Sequence, residues 1–367
     1  MDNFTEDFID NTSARNLPAY GLRYNRTFYD PGAKEYIFAT FCGVILLIGG
    51  VGNSLVIYIV ARYSDMRTVT NYYKVNLAVT DLAFLVCCVP FATIKYLTYD
   101  WIFGKTMCTF VPYMTEVSVL ATCITLAVLS IDRYCAVVHP LRSINFRTPK
   151  VAAIISGCTW IGSFLIALPI GMNLQLMEVV WLDSTEYLCR PKWPTLSARK
   201  SYTLYTFLIT YVIPLLICTV SCSLIVRSIL NRFSMDHAQE ADVDAQLARR
   251  TSCMVVGVVV LFAVCWLPIQ ITFMWYEFGT GLSETTYWLQ DVAKILCYSN
   301  SAVNPFVYTL LGKNYRRCIK LSFPCLFRQE RPKQGSFVTF SAKDASTEAV
   351  TMSCFDEQKE HDAKTGV

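Results

Sequence analysis

The stretch Leu129-Ser130-Ile131-Asp132-Arg133-Tyr134 places a carboxylate and a guanidinium at the end of a long apolar helix. Between Met107 and Leu129 the chain has one acid, Glu116, and no base. This helix can therefore cross a bilayer and bring Asp132 and Arg133 to its polar boundary. There we expect Arg133 to exchange partners as part of a switch. A snorkelling arginine at a helix end is the simpler alternative.

The composition is that of a membrane protein. Of the 367 residues, 54% are hydrophobic and 16% are charged, whereas soluble domains carry about a quarter charged residues. The net charge of +4 is too small to imply a nucleic-acid partner, and no basic stripe with interleaved aromatic residues is present. Most of the 16 cysteines lie inside apolar segments, where a thiol packs as a small hydrophobic group.

Seven apolar segments, which we call spans one to seven, each approach the ~20 residues that a bilayer core requires. They occupy residues 36–61, 72–95, 107–138, 151–172, 203–230, 251–276 and 286–311. Basic residues follow the odd-numbered spans, beginning with Arg62, Arg67 and Lys74 after the first, while the opposite loops are mostly acidic. The positive-inside rule places the N-terminus outside and the tail in the cytoplasm. The predicted fold is an all-α, seven-helix membrane bundle.

Four regions follow from this pattern. Met1 to Asn11 are acidic and polar, unlike the basic start and apolar core of a secretory signal. Residues 1–35 carry sequons at Asn3, Asn11 and Asn25, so we expect a glycosylated extracellular segment. Residues 36–311 form the bundle. Residues 312–327 read as an amphipathic interfacial helix on the membrane lipid, with palmitoylation predicted at Cys325 and an unmodified helix as the alternative. Residues 328–367 read as a disordered cytoplasmic tail.

Five motifs follow one another on five of the seven spans. They are Gly52-Asn53-Ser54, Leu77-Ala78-Val79-Thr80-Asp81, Asp132-Arg133-Tyr134, Cys265-Trp266-Leu267-Pro268 and Asn304-Pro305-Phe306-Val307-Tyr308. Together they resemble the motif set of rhodopsin-like G-protein-coupled receptors. The resemblance implies a G-protein switch, carried by Asp132, Arg133, Tyr134, Trp266, Asn304, Pro305 and Tyr308. Trp266 is the lever at the pocket floor in this interpretation, and a core filler in the alternative one.

Longer stretches narrow the resemblance. Arg67-Thr68-Val69-Thr70-Asn71-Tyr72-Tyr73, Cys87-Cys88-Val89-Pro90-Phe91 and Tyr298-Ser299-Asn300-Ser301-Ala302-Val303-Asn304-Pro305 are similar to the galanin, allatostatin-A and kisspeptin group of neuropeptide receptors, and within it to kisspeptin receptors. His139-Pro140-Leu141 and Glu277-Phe278-Gly279 favour galanin receptors, so a galanin or allatostatin-A type ligand stays open. The resemblance implies a plasma-membrane receptor for an amidated Arg-Phe neuropeptide, with a q-class heterotrimeric G protein and arrestin as partners.

Asp81 lies about ten residues into the second span, ~15 Å from either face, where an unpaired carboxylate is costly. It therefore needs polar partners or a cation. The candidate cluster comprises Asn53, Asp81, Thr122, Asn300, Ser301 and Asn304. The resemblance implies that this cluster binds a sodium ion, which favours the inactive state. A purely structural polar network without an ion is the alternative.

The expected ligand follows partly from what the spans lack. Amine receptors of this family carry an Asp where Thr115 stands, and an opsin needs a lysine where Tyr298 stands. The candidate peptide-binding residues are Glu116, Gln270, Asp291 and Tyr298, whose acidic and hydrogen-bonding groups suit a cationic, amidated peptide end. In the alternative interpretation, Glu116 is an internal partner for a nearby base.

The resemblance also implies a disulfide between Cys108 and Cys189, which would pin the second outer loop over the bundle. The chain departs from the family at Cys222, where relatives usually place a Tyr; the resemblance implies that its phenol reaches through water toward Tyr308 and the released arginine in the active state. Separately, the terminal Thr365-Gly366-Val367 resembles a ligand for a PDZ domain.

Two other classes of function fit less well. A transporter would show internal repeats and paired broken helices, and a channel would show a charged pore; the sequence has none of these. An enzyme is not expected, because no nucleophile and base occur together and no metal-ligand spacing is present.

Overall fold

A computed structural model describes residues 31–180, 185–235, 242–279 and 284–324. The predictions at Asn3, Asn11, Asn25 and Cys325, the tail from residue 328 onward and the PDZ-like C-terminus lie outside these described residues.

Seven helical spans form the bundle, which confirms the predicted fold class. Span one is Ala33–Arg62, span two is Val69–Cys87 with Val89–Thr98, span three is Gly104–Val138, span four is Pro149–Ile166 with Leu168–Asn173, span five is Leu196–Phe207, a π-helical turn at Leu208–Val212 and Ile213–Met235, span six is Asp242–Phe278, and span seven is Glu284–Leu311. Each predicted apolar segment lies inside its observed span. Short helices at Ser64–Met66 and Pro140–Ser143 lie in inner loops, and Lys313–Ser322 is the amphipathic helix.

Among the described residues, six helices are long and apolar enough to cross a bilayer by length and composition alone. The seventh span is not among them, because polar motif residues such as Asn300, Ser301 and Asn304 interrupt its apolar surface. These side chains are buried inside the bundle, so the polar groups do not face lipid.

Prolines explain where the spans break. Pro90 and Pro169 each lie just after a break, at Cys88 and Ala167, because proline has no N–H to donate and its ring crowds the preceding turn. The π-helical turn of span five lies immediately before Pro214, where the missing bond is absorbed by a wider turn. Prolines also lie inside the continuous helices of spans three, six and seven, at Pro112, Pro268 and Pro305.

Span three is the centre of the bundle. In span three, 67% of the most apolar 18-residue stretch is buried, against 22% in span four. Span three also packs against spans two, four, five and six. Because it touches most of the bundle and runs from the outer loops to Arg133, it connects the outer and inner sites described below.

An antiparallel hairpin, which the sequence pattern did not predict, covers the outer end of span three. Its strands are β1 (Leu174–Val180) and β2 (Thr185–Pro191). Cys189 in β2 is joined to Cys108 by a disulfide with an S–S distance of 2.07 Å. The pairing implied by the resemblance is therefore present, and it ties the hairpin to the bundle.

Candidate functional site

The inner end of span three is a compact ion-pair cluster around Asp132. Arg133 Nη2 lies 2.6 Å from Asp132 Oδ2, and Arg147 Nε lies 2.8 Å from Asp132 Oδ1. The Thr70 hydroxyl donates to Asp132 Oδ2 at 3.0 Å and accepts from Arg133 Nη2. Arg133 is 9% exposed, so its guanidinium is held inward. The sequence motifs did not point to Thr70 or Arg147, because both residues reach Asp132 only in the folded chain.

Tyr134 does not join this cluster. Its hydroxyl lies 3.1 Å from His139 Nε2, and the two rings meet edge-on at 5.5 Å. The structure therefore places Tyr134 against the loop that follows span three, and not against Asp132 or Arg133.

Tyr308 and Trp266 are both buried aromatic side chains of the predicted switch. Trp266 packs against Phe262, with ring centroids 5.8 Å apart, and Tyr308 packs against Tyr315 at 6.3 Å. Neither the Trp266 indole N–H nor the Tyr308 hydroxyl has a hydrogen-bond partner within the described ranges. Both side chains are held by packing of their rings, so either ring can move without breaking a hydrogen bond.

The polar cluster in mid-bundle joins spans one, two, three and seven. Asn304 Nδ2 donates to Asp81 Oδ2 at 2.8 Å, and Asn53 Nδ2 donates to the Ser301 carbonyl at 2.8 Å. Thr122 is linked to the second span by its hydroxyl, which donates to Thr80 Oγ1 at 3.0 Å. Sequence reasoning did not include Thr80. Asn300 is buried in the same span as Ser301 and Asn304.

Four oxygens of this cluster have no hydrogen-bond partner in the described part of the chain. They are the Oδ1 atoms of Asn53, Asp81, Asn300 and Asn304. Carboxylate and carbonyl oxygens are the ligands that hard cations prefer, and buried oxygens without partners are costly. The residues present therefore fit a sodium ion, with the Asp81 carboxylate as the charged ligand.

The four candidate peptide-binding residues differ in how much of their bonding capacity is already used. Gln270 Nε2 donates to Thr210 Oγ1 at 3.3 Å, and the Tyr298 ring meets Phe84 edge-on at 5.8 Å. Glu116 is half-buried and makes neither a hydrogen bond nor an ion pair with any residue that the structure describes. It is thus a carboxylate that still lacks a partner.

Asp291, in contrast, is fully engaged at the outer end of span seven. Its carboxylate lies 2.8 Å from Lys34 Nζ and 3.4 Å from Lys294 Nζ, and it accepts from the Tyr96 hydroxyl at 2.6 Å. Lys34 also lies 4.5 Å from the centroid of the Trp288 ring. Asp291 therefore links spans one, two and seven. The sequence motifs did not point to either Lys34 or Tyr96.

Lys74 is placed differently from the sequence interpretation, which counted it among the inner-loop bases after span one. It lies inside span two and is 4% exposed. The positive-inside assignment does not depend on it, because Arg62 and Arg67 remain at the inner boundary.

Comparison with known proteins agrees with this architecture. Residues 52–308 match the family described as "7 transmembrane receptor (rhodopsin family)". The chain is 39% identical over 305 residues to "G-protein coupled receptor 54" of Oreochromis niloticus, covering 80% of both chains. It is 37% identical over 308 residues to the "KiSS-1 receptor" of Homo sapiens, covering 80% of this chain and 76% of that one. It is 33% identical over 313 residues to "Galanin receptor type 1" of Mus musculus, covering 84% and 88% respectively.

The family match spans the region from the Asn53 motif to Tyr308, and both lie in the polar and aromatic contacts described above. The disulfide on span three and the buried Asp132 and Arg133 pair complete the arrangement. With seven spans, these motifs and this match, the chain belongs to the rhodopsin family of seven-transmembrane receptors.

Proposed function

We propose that this receptor is activated by an extracellular neuropeptide with an amidated Arg-Phe end, and that it signals through a q-class heterotrimeric G protein to phospholipase C and calcium. The observation that carries the proposal is the half-buried, unpartnered carboxylate of Glu116. The similarity to receptors named for KiSS-1 and galanin supports a peptide ligand.

Glu116 lies eight residues inward from Cys108 on span three, which is ~12 Å of helical rise. At that depth a guanidinium would form a charge-assisted pair that water screens only partly. Gln270 and Tyr298 offer an amide and a phenol for the terminal carboxamide. Since Asp291 is already paired with Lys34, we assign it the smaller part in peptide binding.

A peptide panel in a calcium assay tests the proposal. Cells expressing the chain should respond to amidated Arg-Phe peptides and respond much less to the same peptides with a free C-terminal acid. A response to galanin or allatostatin-A type peptides with none to the amidated Arg-Phe set would favour the alternative ligand class. The Arg133→Ala receptor, matched for surface expression, is the control for responses that do not pass through this chain.

Further partners belong to the same proposal. We propose arrestin as a second cytoplasmic partner, a sodium ion in the Asp81 cluster that favours the resting state, and a PDZ protein at Thr365-Gly366-Val367. Glycosylation at Asn3, Asn11 and Asn25 and palmitoylation at Cys325 stay predictions from the sequence. Sodium is the one that the geometry supports, through the four unpartnered oxygens around Asp81.

A further inference from the structure

The inner half of span two carries a buried cation, Lys74, which the switch described above does not use. Its Nζ donates to Asn71 Oδ1 at 3.2 Å and lies 4.0 Å from the Met254 sulfur. Within the described ranges it has no ion-pair partner, since Asp132 is taken by Arg133 and Arg147. A buried ammonium with a single oxygen acceptor is costly unless other groups stabilise it.

Two phenol rings supply that stabilisation. Lys74 Nζ lies 5.4 Å from the centroid of the Tyr308 ring and 5.3 Å from that of Tyr315. Both distances are within the ~6 Å over which a cation is attracted to an aromatic face. The hydroxyls of both tyrosines are buried and lack a hydrogen-bond partner among the described residues. The two rings are therefore held at their faces, by each other and by the ammonium.

We infer that Lys74 is a positioning residue, which holds Tyr308 in its resting place between span two and the amphipathic helix Lys313–Ser322. Lys74 belongs to span two, Tyr308 to span seven and Tyr315 to the amphipathic helix. In the active state that the family resemblance implies, Tyr308 would approach the released Arg133, and the ammonium would lose one of its two rings. The resting state keeps both rings, so the charge of Lys74 favours it.

The size of the effect can be bounded. A cation held at an aromatic face away from water is stabilised enough to shift a two-state population about fivefold. Removing the charge while keeping the length of the side chain should therefore raise the active fraction of the ligand-free receptor by about that factor, as long as the active state is a minor one.

The first experiment measures basal nucleotide exchange, without any ligand, by purified heterotrimeric G proteins of several classes on membranes matched for receptor content. Lys74→Met should raise basal exchange about fivefold, and Lys74→Arg should stay near the native rate because it keeps a cation at the rings. Lys95→Met is the matched control, because Lys95 is an exposed lysine of the same span; it should leave basal exchange unchanged.

Two further measurements separate positioning from a merely structural role. In the purified, ligand-free receptor, Lys74→Met should speed hydrogen exchange at residues 304–309 and in Lys313–Ser322, and leave Pro149–Ile166 unchanged. If Lys74 acts through the rings, the receptor with both Lys74→Met and Tyr315→Leu should show basal exchange only slightly higher than that of either single variant.

Three results would overturn the inference. The first is lower basal exchange in Lys74→Met, which would mean that the buried charge strains the resting state. The others are fully additive effects in the double variant and hydrogen exchange that rises equally in every span. The signalling measurement rests on the proposed coupling to a G protein. If no heterotrimer responds to any form of the receptor, that coupling fails, and hydrogen exchange still decides the role of Lys74.

Discussion

Two carboxylates at the outer end of the bundle, Glu116 and Asp291, have opposite environments. Asp291 is paired with Lys34 and accepts a hydrogen bond from Tyr96, whereas Glu116 is half-buried and has no partner within the described part of the chain. A partly desolvated carboxylate without a partner is costly to the empty receptor. A cationic ligand would recover this cost on binding, which is why we propose Glu116 and not Asp291 as the recognition residue.

Replacing Glu116 with Gln keeps the shape of the side chain and removes its charge. We expect the peptide to bind more weakly by ~2–5 kcal/mol, because a desolvated charge pair is lost. Its potency in the calcium assay should fall steeply as a result. The same measurement is repeated with the ligand arginine replaced by citrulline. If the losses from the two changes simply add, the two groups do not touch.

Cys222 offers a second test at the residue scale. It is half-buried against the core in span five, and the Tyr308 hydroxyl still lacks a hydrogen-bond partner among the residues that the structure covers. Cys222→Tyr would supply the phenol that the family resemblance implies at this position, which would reach Tyr308 through water in an active state. We expect higher basal and peptide-evoked calcium responses, since ~1 kcal/mol changes a minor active population about fivefold.

Cys222→Phe is the control for this change, because it adds the ring without the hydroxyl. Should Cys222→Tyr show responses no higher than the native receptor at equal surface expression, our account of span five is wrong.

At the scale of elements, the contact of span one with spans two and seven depends on Gly49. A Cβ at this position would lie 2.5 Å from Leu85 Cδ1 and 3.2 Å from the Ala302 Cα. The first contact is with a flexible side chain, but the second is with backbone, which cannot move aside without shifting span seven. The absence of a side chain is therefore what allows the close approach.

Gly49→Val should destabilise the bundle by ~1–3 kcal/mol, the usual range for overpacking a filled interface. The measurement is the thermal unfolding midpoint of the solubilised receptor, together with its surface expression. Gly50→Val is the matched control, because a Cβ at Gly50 would meet nothing within 4 Å. An equal loss in both variants would point to valine in the helix and not to the contact.

The spans themselves were well predicted, and their interruptions less so. Hydropathy depends on local composition, so all seven apolar segments fall inside observed spans. Pro214 indicates where the helix of span five is disturbed, but not that the disturbance is a wider turn. The hairpin that carries Cys189 depends on how neighbouring elements pack, and no local pattern predicts it.

At the scale of the whole molecule, span three connects the outer loops with the inner ion pairs. Cys108 and Arg133 are 25 residues apart in one helix, which is ~38 Å of rise. The receptor is a multi-pass plasma-membrane protein of a family that is not enzymatic. A central helix of this length would carry a movement at the outer loops to the inner ion pairs.

Arg133→Ala should therefore leave peptide binding nearly intact while abolishing G-protein activation. Ligand binding to intact cells and calcium release, at equal surface expression, measure the two properties separately. Arg142→Ala, an exposed arginine of the following loop, should change neither. An equal loss of binding and signalling in Arg133→Ala would count against its role as the switch.

By itself the sequence determined the seven spans and the family, because hydropathy and short motifs are local properties of the chain. It also predicts the orientation of the spans and the candidate residues of the two sites. Only the tertiary structure decided which of those residues have partners. Arg147 closes on Asp132, Lys34 takes Asp291, and Lys74 lies against Tyr308 and Tyr315. Each of these contacts joins different parts of the bundle, and helix packing, which no short stretch of sequence encodes, sets the distances between them.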